Sequence, residues 1–251
     1  MPLCLGKTAA RPGAIKLKFS KYANKSVLPT PPSEFGHDNL ITGSWESLGN
    51  DQWGDCVFAG AAHETMLWRK EAGQPTVFND ACVLSDYSAV TGFAFTDATD
   101  NGTDMQQAAS YRRSTGIVDA AGIRHTIAAY LEIQKGNIEE HLLAAYLFQC
   151  IGIGIQFPSS AMDQFNANEP WSFVQGSPIV GGHYIPGVAY RSGSLQIVSW
   201  GRVLPMFDSF FSTFNDESVV YLDDEMMTGG KSIDGFDSEQ LRADFAQLTT
   251  S

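Results

Sequence analysis

Cys56 lies in Asn50-Asp51-Gln52-Trp53-Gly54-Asp55-Cys56-Val57-Phe58-Ala59-Gly60-Ala61-Ala62, where a glycine turn runs into an alanine-rich helix. The first turn of a helix offers unpaired N–H groups and the positive end of its dipole, and both favour thiolate over thiol. His183 follows 127 residues later in Gly181-Gly182-His183-Tyr184, at the start of an apolar strand, and Ser199-Trp200-Gly201 closes the next strand. A thiol and an imidazole brought together suit acyl transfer: the imidazole draws the proton and the sulfur attacks a carbonyl. A free cysteine is ordinarily a small buried hydrophobe, but the Gly-x-Cys turn into a helix favours the nucleophile. His63 lies seven residues after Cys56 on the same helix, ~10 Å along its axis, too far to be the base. His37, His125 and His141 lack metal-ligand spacing, so neither metal nor cofactor is expected, and Cys4, Cys82 and Cys150 read as structural.

The order cysteine, histidine, then a strand ending in Ser-Trp-Gly, with separations near the ~130–150 residues of that family, resembles the papain-like cysteine peptidases. Three patches within about residues 40–225 carry the resemblance. Gly54-x-Cys56 enters a small-residue helix. Asn101-Gly102-Thr103-Asp104 and the later Thr115-Gly116-Ile117 are similar to the family's glycine-rich substrate-binding segment, its helix and the Gly-Ile that ends it. Gly182-His183-Tyr184-x-x-Gly187-Val188-Ala189-Tyr190 is similar to its histidine strand. The resemblance implies a hydrolase of peptide or amide bonds with Cys56 as nucleophile and His183 as base. It implies Asn50 or Gln52 as oxyanion donor, Asn101, Gly102 and Gly182 as substrate-binding backbone, and Trp200 as a shield over the imidazole. Trp53 and Val57 depart from the pattern around the nucleophile, and Val198 stands where the family has the asparagine that orients the imidazole. Valine neither donates nor accepts a hydrogen bond, so slower turnover is expected. Asp55 is a second concern, because a nearby anion disfavours a thiolate unless it points to solvent. Residues 48–68 are also similar to papain-like proteins encoded in tailed-phage genomes, which implies an alternative: a weak or inactive scaffold serving as a virion or assembly component.

Local signals place these residues. A helix is expected from Cys56 to about Ala72, stopped by Gly73, followed by helices near Asp80–Thr91 and from Thr103 to Gly116. Asn137-Ile138-Glu139-Glu140 reads as a cap for a helix to about Gln149. Runs at Cys150–Phe157, Gly182–Tyr190, Leu195–Trp200 and Val219–Leu222 read as strands. The fold class expected is α+β: an extended basic arm over 1–36, a papain-like two-lobe domain over 37–225 (helical lobe about 37–135, antiparallel β lobe about 136–225), and an acidic tail over 226–251.

The chain has 251 residues, 43% hydrophobic, enough for a large core in one unit. No run approaches the ~18 apolar residues of a membrane span, and the first residues lack a signal-peptide core, so synthesis in the cytoplasm is expected, with a virion as an alternative destination. Four cysteines without close pairing suggest reduced thiols. Charge is uneven: residues 1–25 hold six cations and no acid, so with a net charge of −12 the remainder carries −18. Pro29-Thr30-Pro31-Pro32 extends the arm, which gains order only on a partner surface. That surface is either its own acidic body or another copy in a homo-oligomer or larger assembly. Thin aromatic interleaving and the acidic body argue against nucleic acid, leaving a peptide or protein as the expected substrate.

Overall fold

The computed structural model describes residues 3–223 together with 237, 239–241 and 243; residues 1 and 2 of the arm and the rest of the 226–251 tail lie outside the described residues. In chain order the elements are α1 (Phe19–Tyr22), β1 (Phe35–Gly36), α2 (Cys56–Glu71), α3 (Asp80–Thr91), α4 (Met105–Ser114), β2 (Ile117–Val118), β3 (Arg124–His125), β4 (Ile127–Glu132), α5 (Ile138–Phe148), β5 (Ile151–Pro158), α6 (Ser159–Asn166), β6 (Ile179–Arg191), β7 (Ser194–Ser199), β8 (Arg202–Phe207), α7 (Asp208–Phe214) and β9 (Asn215–Asp223).

The main sheet runs β4-β9-β5-β6-β7-β8, antiparallel throughout, with β1 paired to the far end of β6. Its strands alternate with period two, and both faces are covered. Ile151, Ile153 and Ile155 of β5 and Val220 and Leu222 of β9 pack into a core with α5, α6 and α7. Val219 and Tyr221, with Tyr184 of β6 and Val198 of β7, pack into a second core with α2, α3 and α4. Gly152 and Gly154 occupy the α2 side of β5. A Cβ on Gly152 would lie 2.0 Å from the Tyr184 hydroxyl, so this strand needs glycine to admit the tyrosine.

Helix starts follow their caps. The Asn79 side chain accepts from Cys82 N–H at 3.0 Å, Asp104 from Gln107 N–H at 2.8 Å, and Asn137 from Glu140 N–H at 3.2 Å. Helix α2 has no such cap and no polar stripe, being buried over nearly its whole length. A Cβ on Gly60 would come 2.3 Å from the Tyr184 ring, which is how closely α2 lies on β6. A buried ionic cluster ties the two layers. Glu64 of α2 pairs with Arg112 of α4 at 2.6 Å and accepts from the Tyr184 hydroxyl of β6, while the Arg112 guanidinium lies 4.0 Å from the Tyr221 ring centre. Among the described residues no helix is long and apolar enough to cross a membrane.

Candidate active site

Cys56 opens α2 and is 2% exposed. Burial pushes its thiol up to about 12, with the Asp55 charge adding to the rise; backbone groups of Tyr184 and Gly6, and Lys7, act in the opposite sense without prevailing. The helix start therefore does not produce a thiolate here, because desolvation outweighs the dipole. Asp55 does not point to solvent. It is fully buried, and burial pushes its pKa well up against the opposing pull of the Asn50 side chain.

His183 lies on β6, next to the Tyr184 backbone that contacts the sulfur. Its ring stacks on Trp200, centroids 4.3 Å apart and 16° between planes, with Phe157 and Trp171 edge-on at 5.6 and 6.4 Å. This nest buries the imidazole and pushes its pKa down to about 3, so it is neutral. Nε2 lies 2.9 Å from the Ser199 Oγ, while Nδ1 is buried without a partner. The imidazole thus has a partner that the sequence reading passed over. Ser199 precedes the stacking tryptophan and faces the histidine, while Val198, one step earlier and on the opposite face of β7, is buried in the α2-side core. Because faces alternate along a strand, the choice of position decides whether a side chain meets the ring at all.

Of the two amides before Cys56, Asn50 is 2% exposed and aims inward, donating to Trp53 O at 2.9 Å and lying 3.5 Å from Cys4 O; Gln52 is exposed. Asn101 is exposed as well, whereas Gly102 and Thr103 line the cleft. A relay of hydrogen bonds, unforeseen in the sequence, fixes this wall. Asp100 accepts from Gly54 N–H at 2.9 Å and from the Tyr87 hydroxyl, and that hydroxyl accepts from Gly102 N–H at 2.9 Å. The turn before Cys56 and the glycine segment are thereby held by the same two side chains. His63 is occupied elsewhere, its Nε2 lying 2.8 Å from Trp45 O, and the four cysteines are free.

The arm runs through this cleft. Trp200 Nε1 donates to Cys4 O at 3.2 Å, Thr103 N–H to Gly6 O at 2.7 Å, Lys7 N–H to Gly182 O at 3.1 Å, and Thr8 N–H to Thr103 O at 3.0 Å. An extended peptide is therefore held by main-chain bonds from both walls, directly over Cys56. The fit requires glycine: a Cβ on Gly6 would sit 1.7 Å from Gly54 O, one on Gly102 2.1 Å from Gly6 O, and one on Gly182 2.3 Å from Lys7 O. Other arm cations pair with the same chain, Arg11 with Asp104 at 2.6 Å and Lys18 with Glu132 at 3.8 Å.

No protein-family model matches the chain, and no curated protein matches it. Solved structures do match its fold. Xylellain, a cysteine protease from Xylella fastidiosa, aligns over 88% of this chain and 97% of its own at 13% identity and a TM-score of 0.69. A procathepsin B from Trypanosoma congolense aligns over 88% and 86% at 12% identity and a TM-score of 0.65. The proform of the ragweed pollen cysteine protease Amb a 11 aligns over 86% and 71% at 15% identity and a TM-score of 0.58. The fold is the papain-like two-lobe fold.

Proposed function

We propose that this chain is a cysteine hydrolase of peptide or amide bonds, held in a latent state by its own first residues. The observation that carries the reading is the seating of residues 4–8: a cleft that binds an extended main chain from both sides, over a cysteine at a helix start and against the strand that carries His183, is built to hold a peptide. Two of its structural neighbours are described as a procathepsin and a proform, which agrees with a covered cleft.

In this reading the covering arm explains why both reacting groups are neutral at rest. Once it leaves, water and a substrate carbonyl reach Cys56, the desolvation that holds its thiol up is relieved, and the proton passes to His183, kept in plane by Trp200 and oriented by Ser199. The sulfur adds to the carbonyl carbon, and the oxygen takes the charge beside the Asn50 amide and the Cys56 N–H. The tetrahedral adduct collapses as the imidazolium gives its proton to the leaving amine. Water, deprotonated by the imidazole, then cleaves the thioester and frees the cysteine.

The test is hydrolysis of a fluorogenic peptide library by the full chain, by Gly6→Val, which cannot seat the arm, and by Gly6→Val with Cys56→Ala. Activity in the second alone supports the reading; an inactive Gly6→Val whose Cys56 is freely alkylated removes it. That second outcome favours the scaffold alternative, a virion or assembly component joined through residues 1–36, for which the neutral, buried Cys56 and His183 are the supporting observation.

A further inference from the structure

We infer that the pocket filled by Lys7 is a recognition site for a basic side chain, so that peptides taken by this cleft carry lysine or arginine within about two residues of the carbonyl that meets Cys56. The inference rests on reading the cleft as the path of a substrate chain, and it deepens that reading by naming the substrate class.

Lys7 follows Gly6, the residue over the sulfur, and its side chain leaves the cleft floor and is wholly buried. Its ammonium lies 2.9 Å from Asp216 Oδ2, 2.9 Å from Glu217 Oε1 and 3.0 Å from Thr8 O. Space for the stem is made by Gly154, where a Cβ would come 2.2 Å from the lysine Cε. Asn215 holds the acidic strand in place, donating to Gly154 O at 3.0 Å. Two adjacent carboxylates on β9 thus face one cation whose stem fills the space that Gly154 leaves open.

The pair is costly to bury without a cation. Asp216 is 9% and Glu217 19% exposed at the side chain, and like charges this close and this dry repel. An apolar side chain in the pocket would leave both unpaired, and an acidic one would add a third anion. The site also holds an unused acceptor: Asp216 Oδ1 is buried with no partner. Lysine spends its three donors on the two carboxylates and Thr8 O; a guanidinium brings five in a planar fork and can reach the oxygen that lysine leaves empty. Arginine therefore fits as well as lysine.

The experiment uses the full chain carrying Lys7→Glu, which sets a third carboxylate against Asp216 and Glu217 and so expels the arm. Peptide binding is followed by fluorescence anisotropy with Cys56→Ala added, so that nothing is cleaved, and cleavage is followed with Cys56 present. The probes are labelled hexapeptides identical except for lysine, arginine, leucine or glutamate at each central position in turn. At one position lysine and arginine should bind at least about tenfold more tightly than leucine, equal to ~1.4 kcal/mol. The preference should fall within about twofold when Asp216→Asn and Glu217→Gln are added, the residue of a close charge pair once its anions are gone. Equal binding of all probes, or none of the lysine probe, overturns the pocket. Basic preference without cleavage keeps the pocket and removes the hydrolase; cleavage without preference does the reverse.

Discussion

The Ser199 hydroxyl lies 2.9 Å from Nε2 of His183 and makes the one side-chain hydrogen bond that ring has among the described residues. Trp200, the next residue, stacks on the same ring, so a single dipeptide at the end of β7 both orients and covers the imidazole. Ser199→Ala in the Gly6→Val background should lower kcat about tenfold, the value of one hydrogen bond of ~1.4 kcal/mol strengthened in the transition state, with KM little changed. A rise in KM alone would place Ser199 in binding instead. Val198→Asn should not help: it puts an amide into an apolar core at a cost of about 1–3 kcal/mol, seen as a lower urea midpoint.

Tyr87→Phe should weaken substrate binding more than chemistry. The change removes the hydroxyl that joins Asp100 to Gly102 N–H and leaves that N–H without its partner. A rise in KM of about tenfold, with thermal stability lowered by about 1–2 kcal/mol, is expected from the loss of these two hydrogen bonds. An unchanged KM would mean that the glycine segment holds its position without the relay.

Glu64→Gln should destabilise the fold by about 3–5 kcal/mol, because Arg112 would keep its charge in a buried site without a counterion. Replacing Glu64, Arg112 and Tyr184 together with leucine, methionine and phenylalanine should cost much less, since an apolar core needs no ion pair. Chemical denaturation of the two variants measures the difference, and equal losses would show that the cluster acts through shape rather than charge.

Acid should loosen the molecule in a defined window. Burial lowers the pKa of His183 to about 3 and those of His63 and His141 to about 4, from 6.5. The unfolded chain therefore takes up these protons first: the stabilisation is complete above pH 6.5 and is lost as pH falls from there toward 3–4. The slope is up to ~1.4 kcal/mol per pH unit for each histidine. Asp55, whose pKa is raised, acts in the opposite sense and loses its contribution as pH climbs through the folded value. Urea midpoints between pH 4 and 8 test this, and His141→Gln should reduce the acid slope by one histidine's share; a flat profile below pH 6.5 would contradict neutral burial.

The sequence is legible where local chemistry decides. The small-residue helix from Cys56, the cap at Asn137, and the strands around residues 150–157 and 182–190 could be read from turn and cap residues and from period-two runs, and the structure has them within a few residues. Strands β4 and β8 were harder. Ile127, Ala129 and Leu131 alternate in burial, but Ala-Ala-Tyr-Leu-Glu suits a helix equally, and Pro205 argues against a strand until β8 is seen at the sheet edge, where a missing donor is harmless. Cys56 and His183 stand out as candidates from their surroundings in sequence. Ser199, the Asp100–Tyr87 relay and the Lys7 pocket do not, because each depends on which face of a strand meets a distant segment. The basic arm was readable as an arm, and its charge as complementary to the body; that Gly6 lies over the cysteine depends on a close approach between backbones that only coordinates reveal.

The most direct measurement is the intact mass of the protein after brief exposure to an activated peptide ester and an acid quench, followed by mapping of any adduct. The full chain should stay unmodified, and Gly6→Val should gain one acyl group located on Cys56 as a thioester, lost when Cys56→Ala is added. Acylation at another residue, or ester hydrolysis with no adduct at Cys56, would contradict the claim that this cysteine is the nucleophile and that residues 4–8 keep it closed.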